Sequence, residues 1–336
     1  MLFEQSGPSR RAVLFAAAVL PLARGTSEAS AATATSARRY YDRAARLAGK
    51  DPVLQHIVNA LSPGAVPPPV KAPDPLRIFD DVAVVSTGFV SATAITTPQG
   101  VILIDALSSP DEAEKVLVSG LRAVGMDPAN IKYVVVTHAH YDHFGGAQYL
   151  ADRYGARVMM SQDDWDLLAT DRPANAPAPD LVITNGQRLT LGDTTVELHL
   201  TPGHTPGTVS PIFPVRWNGH RHTAMLWGGT SLPAATSDKR TYLASALTFS
   251  SRMRRAGIDV ELNNHGACDN GLARMEELRS GSTGSKNPFV IGEARTQRFM
   301  KVMETMVRGR IASDQEAATA SAGGTPAPAQ SGHACC

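Results

Sequence analysis

The residues of this chain best suited to chemistry stand together in Thr137-His-Ala-His-Tyr-Asp-His-Phe-Gly-Gly146. His138, His140, Asp142 and His143 fall within six positions. Imidazole and carboxylate suit divalent zinc, and a reactive zinc site needs several such ligands with one position left for water. One histidine at a strand end is ordinarily just solvated; four ligand-type residues in six positions are not explained that way. The elements that must position them are legible on either side. Ile131-Lys-Tyr-Val-Val-Val136 is short and β-branched and predicts a buried strand, and the segment from Phe144 onward predicts a helix. Histidines two apart on a tight turn off a rigid strand turn both rings towards one point. Asp142 and His143 then aim at a second point nearby.

A pair of metals needs further ligands. His204 lies in Thr201-Pro-Gly-His-Thr-Pro-Gly207, between two turn signals and after the alternating run Thr194-Thr-Val-Glu-Leu-His-Leu200. His265 follows the strand-like Asp259-Val-Glu-Leu-Asn-Asn264 and precedes a glycine. A side chain on a stiff loop at a strand end is presented rather than packed. Three such loops delivering ligands in series make one coherent site.

These motifs resemble the metallo-β-lactamase superfamily, whose H-x-H-x-D-H signature is matched at His138 to His143. Val101-Ile-Leu-Ile-Asp105 is similar to the family strand that ends in a structural Asp, and the similarity runs from about Ile78 to about Ile311. The resemblance implies His138, His140 and His204 for one zinc ion and Asp142, His143 and His265 for a second. Many members place a metal-bridging Asp after a late strand. Here Thr223-Ala-Met-Leu-Trp227 runs into Gly228-Gly-Thr-Ser-Leu232, with no acid and no Cys. That pattern resembles the third metallo-β-lactamase subclass, where a Ser stands at the place of Ser231. The closing Asn287-Pro-Phe-Val-Ile-Gly292 is similar to secreted hydrolases near that subclass.

Composition narrows the possibilities further. With 336 residues, 43% of them hydrophobic, the chain can bury a full core in one large domain. Lys+Arg number 32 against Asp+Glu 31 with no basic stripe, which argues against nucleic acid as partner or substrate. Ser9-Arg-Arg-Ala-Val-Leu-Phe15 resembles a twin-arginine export motif, followed by an apolar run from Ala12 to Ala23 too short to span a bilayer. Ala29-Ser-Ala31 offers a cleavage site, so residues 1–31 are expected to be a signal peptide and the mature protein periplasmic or secreted. An ordinary secretory signal or an unprocessed leader are the alternatives. No other segment is apolar enough to be a membrane anchor. Of the three cysteines, Cys335 and Cys336 are adjacent at the terminus, and Cys268 is expected to be a packed thiol.

The expected organisation is an N-terminal helix (Arg38 to Leu61) and Pro-rich strap within residues 32–76, then a catalytic domain over 77–311. A low-complexity tail over 312–336 is expected to be disordered. Strands flanked by helices in both halves of residues 77–311 predict a four-layer αβ/βα sandwich, the family's fold. A final helix is expected over about 294–311. Ser161 to Asp180, with Trp165, Leu168 and three prolines, is expected to overhang the site as an apolar lid. His199 is expected to face solvent, and His220 and His222 to flank a turn at Asn218-Gly219.

The chemistry expected is metal-assisted hydrolysis, in which zinc lowers the pKa of a water from 15.7 towards about 7 and polarises a carbonyl. Asp142 is expected to hold the second metal and orient the nucleophile. Ser231 and Thr230, with Trp165 from the lid, are the expected substrate contacts or supports. A small molecule is the expected partner, with a β-lactam or related cyclic amide favoured. Another ester, lactone or amide is the alternative, and a metal-binding protein without turnover a third. Against β-lactams, Pro233 stands where the subclass tends to carry a second Ser that binds the drug carboxylate.

Overall fold

The computed structural model describes residues 35–65 and 70–322. The expected signal peptide, residues 66–69 of the strap and the terminal cysteine pair lie outside the described residues.

Two sheets carry the fold. The first runs in chain order through β1 (Leu76–Arg77), β2 (Val82–Ser86), β3 (Ser91–Thr97), β4 (Gly100–Ile104), β5 (Ile131–Val135), β6 (Arg157–Ser161) and β7 (Leu181–Ile183). Its first four strands pair antiparallel, and β4 to β7 pair parallel. The second is formed by β8 (Gln187–Leu191), β9 (Thr194–Leu200), β10 (Val209–Trp217), β11 (His220–Trp227) and β12 (Val260–Asn263), ordered β12-β11-β10-β9-β8. Only β11 and β12 are parallel there.

Strand β4 shows why these runs are apolar throughout rather than alternating. Ile102 and Ile104 point between the sheets, against Val196, Leu198, Phe213 and Leu226. Val101 and Leu103 point outward, into a core with Leu117, Leu121, Leu150 and Leu168. A parallel strand covered on both faces must be hydrophobic on both. The outer cover comes from the helix over 110–123, whose middle turn Ala113–Val118 is π-helical, and from Ala147–Tyr154 and Gln162–Asp171. On the far side, Ile212, Met225 and Trp227 of the second sheet pack on Tyr242 and Phe249 of the Thr236–Ala256 helix. Phe299 and Met303 of the Glu293–Ala322 helix and Leu54 and Ile57 near the N-terminus complete that layer. Helices, sheet, sheet and helices are the expected four layers.

Three local expectations need correction. The N-terminal helix is two helices, Ser36–Ala48 and Pro52–Leu61. Gly49 closes the first at φ +56°, and the Asp51 carboxylate accepts the Val53 and Leu54 N–H groups to start the second, with Pro52 at its first position. The tail is helical as far as Ala322. Its alanines are strong helix formers, and Asp314 binds Lys239 while Glu316 accepts the Ala37 N–H at 3.0 Å. His199 is buried at 6% exposure with its ring 6.0 Å from that of Phe249. The Thr236–Ala256 helix covers the face of the second sheet that alternation alone assigns to solvent.

Candidate metal centre

Strand β5 delivers Thr137 to a buried carboxylate. Asp105, at the end of β4, accepts the Thr137 N–H (2.7 Å) and hydroxyl (2.9 Å) and sits at φ +63°, a conformation that a non-glycine residue adopts at some cost. This grip fixes where the following turn begins. The turn then rises into a one-turn helix, Tyr141–Phe144, anchored by the buried Phe144.

Six sequence-predicted residues converge in two groups. His138, His140 and His204 form one; Asp142, His143 and His265 form the other, and within each group the potential ligand atoms lie within 4.8 Å of one another. In the first group, His138 Nδ1–H donates to Gly228 O (2.7 Å) and His204 Nδ1–H to Ser231 O (2.7 Å). Each ring is thereby oriented with Nε2 inward, and the two Nε2 atoms are 3.1 Å apart. His140 Nδ1 is buried with no hydrogen-bond partner. In the second group, His143 Nδ1 is 2.7 Å from Asp105 Oδ2, and His265 Nδ1–H donates to Phe89 O (2.9 Å). Their Nε2 atoms stand 3.2 Å apart, with Asp142 Oδ2 at 3.2 and 3.5 Å from them. Asp142 Oδ1 has no hydrogen-bond partner. Inward lone pairs without donors are costly when buried. A cation at each focus resolves that cost, so the donor set fits a pair of metal ions.

The electrostatics agree. Burial, with the neighbouring imidazoles, holds His138 well below the usual histidine range, and burial lowers His140 as well. Burial takes His204 down to about 3, and burial with the His143 charge takes His265 to about 4. Four rings are therefore neutral and available as ligands at pH 7. His143 is the exception. Burial works against its charge, but the Asp142 and Asp105 carboxylates outweigh it and lift its pKa to about 10. Burial also opposes the Asp142 charge, yet His143 and His265 hold that carboxyl far below the usual range. In the metal-free molecule a proton on His143 does part of the neutralising that a cation would do.

Two further residues tie the loops together, and sequence reasoning did not find them. Asp164 accepts the Ala139 N–H (2.9 Å) and Thr205 hydroxyl (2.8 Å) on one oxygen and the Gly207 N–H (2.8 Å) on the other. One carboxylate thus joins the His138–His140 turn to the His204 loop. Burial raises its pKa to about 6 although three donors favour the ion. Gly207 is required at this approach, since a Cβ there would lie 1.8 Å from Ser161 Oγ. Asn264 donates to Thr137 Oγ and Gly228 O at 3.1 Å each, below both groups. The run Asn263-Asn264 before His265 was its only signal.

The other predicted contacts are placed differently. Trp165 is 3% exposed, packs in the core under the first sheet and donates its indole N–H to Leu181 O (3.1 Å). It is not a wall of the site, because the expected lid begins as the helix Gln162–Asp171 and turns Asp164, Trp165 and Leu168 inward. Ser231 reaches the first group through its carbonyl on His204 Nδ1. Thr230 Oγ pairs with Asn263, whose Oδ1 accepts the His265 N–H at 2.9 Å. Both residues support ligands. Behind His265, Arg274 binds Glu261 and Asp269, and His56 Nδ1–H donates to Ala267 O, so the loop is braced from two sides. Cys268 is buried there, as expected of a packed thiol.

Residues 85–216 match the model of the metallo-beta-lactamase superfamily. Over those residues the chain resembles a metallo-β-lactamase superfamily domain. The match spans Asp105 and five of the six candidate ligands; His265 lies beyond it. A subclass B3 metallo-β-lactamase of Bradyrhizobium japonicum is 25% identical with a TM-score of 0.60, over 76% of this chain and 98% of that one. The metallo-β-lactamase of Legionella gormanii shares the fold at a TM-score of 0.62 and 22% identity, over 74% and 98% of the two chains. By sequence, the hydroxyacylglutathione hydrolase of Acidiphilium cryptum is 35% identical over 95 residues, 28% of this chain and 36% of that protein. The chain thus spans about a third of the length of that curated relative. The metallo-β-lactamase fold places all six residues at one edge of the sandwich, where the loops after β5, β9 and β12 meet.

Proposed function

We propose that this protein is a di-zinc hydrolase that attacks a carbonyl with activated water, with a cyclic amide of the β-lactam kind as the favoured substrate. The observation that carries the reading is the convergence of two groups of three ligand-type residues, whose potential ligand atoms lie within 4.8 Å of one another in each group. Bound there, zinc would polarise a carbonyl and acidify a water. His138, His140 and His204 would hold one ion, and Asp142, His143 and His265 the other. Asp142, held ionised by His143 and His265, is the residue that would orient the attacking water. The Ser231 carbonyl orients the His204 ring, and Asn264 donates to Asp105, which orients the His143 ring.

The absence of an acid in Gly228-Gly-Thr-Ser-Leu232 and the likeness to a subclass B3 metallo-β-lactamase support the cyclic-amide reading. The sequence match to hydroxyacylglutathione hydrolases supports a second, in which the same centre opens another ester, thioester or lactone. Export through the twin-arginine route, read from Arg10 and Arg11, would place the enzyme where β-lactams act. Among the described residues no helix is long and apolar enough to cross a membrane. Nitrocefin turnover by purified, zinc-loaded protein tests the first reading. Hydrolysis of a thioester or lactone panel with no nitrocefin turnover would transfer the assignment to the second, and silence on both would leave a metal-binding protein.

A further inference from the structure

We infer that Phe89 is a specificity-determining residue, an apolar plate at the mouth of the Asp142–His143–His265 group that selects carbonyl compounds bearing an apolar, ring-sized substituent. The inference rests on the hydrolase reading above and names the class of substrate that site takes. Phe89 is 40% exposed, whereas its neighbour Val90 is fully buried. Its position is not slack. Thr87 N–H (3.0 Å) and Ser86 hydroxyl (3.1 Å) both donate to Val90 O, and Gly88 N–H donates to Ser86 Oγ (3.0 Å). Gly88 sits at φ +89° with Val70 O 2.4 Å from where a Cβ would be, so strap and turn close on each other without space for a side chain. A rigid turn therefore holds a large apolar ring in water.

The ring stands on the site. Its centroid is 5.1 Å from that of His265 at 63°, and His265 itself is 2% exposed, so Phe89 lies between that ligand and solvent. Backbone and side chain have separable tasks here. The carbonyl of residue 89 orients His265 Nδ1 whatever the side chain is. The ring adds nothing to that bond, and its exposed surface is what an arriving substrate meets. Among the described residues the exposed aromatic side chains are Phe89 and Tyr141, and Tyr141, 53% exposed, stands between His140 of one group and Asp142 of the other.

The test compares acetohydroxamate with phenylacetohydroxamate, two chelating probes that differ by a phenyl ring, binding to the zinc-loaded full chain by calorimetry. Covering two-fifths of a phenylalanine side chain predicts a preference for the phenyl probe of about tenfold or somewhat more. Phe89→Ala should remove most of that preference while acetohydroxamate affinity and zinc content stay as in the parent. Phe89→Leu, which keeps an apolar cover on His265, should retain zinc and lose only part of the preference. An unchanged preference in both variants, or none in the parent, overturns the inference. So does zinc loss in both variants, which would make Phe89 a cover for His265 and nothing more. Failure of the parent to bind either probe would overturn the metal-centre reading, and this inference with it.

Discussion

Asp164→Ala isolates the joint between the two loops of the first metal group. The substitution leaves the buried Ala139 and Gly207 N–H groups without their acceptor, whereas the Thr205 hydroxyl keeps Thr208 Oγ at 2.8 Å. An orphaned buried donor costs about 1–3 kcal/mol, so the loss is about 2–6 kcal/mol. A second effect opposes it. Burial holds the Asp164 pKa at about 6 against an ordinary 3.8, so keeping it ionised above pH 6 costs the parent about 3 kcal/mol that alanine does not incur. The net expectation at pH 7.5 lies between a stabilisation of about 1 kcal/mol and a destabilisation of about 3 kcal/mol. The pH dependence has a definite sign. A raised carboxyl pKa contributes stability that is complete below 3.8 and lost as pH rises through about 6. The parent regains that contribution on acidification and the variant does not, so the gap should widen by up to about 3 kcal/mol between pH 7.5 and 4. Urea unfolding of the metal-free proteins at both pH values measures it. Competition with a chromophoric chelator should show zinc affinity of the first group falling about 10–100-fold, with the second retained. A gap that narrows on acidification would refute the role given to burial, and unchanged zinc affinity would refute the joint.

Three shorter predictions follow from the same geometry. His204→Ala should reduce bound zinc from about two to about one per chain while circular dichroism is unchanged; two retained equivalents in dialysed protein would remove His204 from the ligand set. Zinc loading of metal-free protein at pH 7 should release about one proton per chain from His143, beyond the part of a proton lost by metal-bound water, because the His143 pKa stands at about 10 and the other four ligand histidines are already neutral. Affinity of the second group should then rise about tenfold per pH unit between 7 and 10, and calorimetry in buffers of different ionisation heat checks both. Pro233→Ser should lower KM for a carboxylate-bearing β-lactam by about one to two decades with kcat little changed, since proline offers that carboxylate neither hydroxyl nor N–H. Steady-state kinetics decide it, and an unaltered KM means the loop after β11 does not meet the carboxylate.

What the sequence made legible and what it concealed divide along a physical line. His138, His140, Asp142, His143, His204 and His265 were readable because ligand chemistry is a property of residue type, and each stands on a loop that its own flanking strand announces. The layers were readable for a related reason: β4 is apolar on both faces, as a strand covered on both sides requires. Asp164 was not readable. An acid in the first turn of a helix is ordinarily a cap or a solvated charge, and nothing local says that it accepts N–H groups from Ala139 and Gly207, 25 and 43 positions away. Asn264 was hidden in the same way, beside a ligand but defined by partners on other strands. Trp165 and His199 misled because exposure was inferred from neighbours in sequence, while burial was decided by a helix turning its face inward and by another helix covering the sheet. Local chemistry named the atoms that would touch a metal, and tertiary contacts chose the atoms that hold them still. The two sets meet at Phe89, whose side chain reads as one more apolar residue of a strand turn and whose carbonyl, invisible to residue type, aims His265.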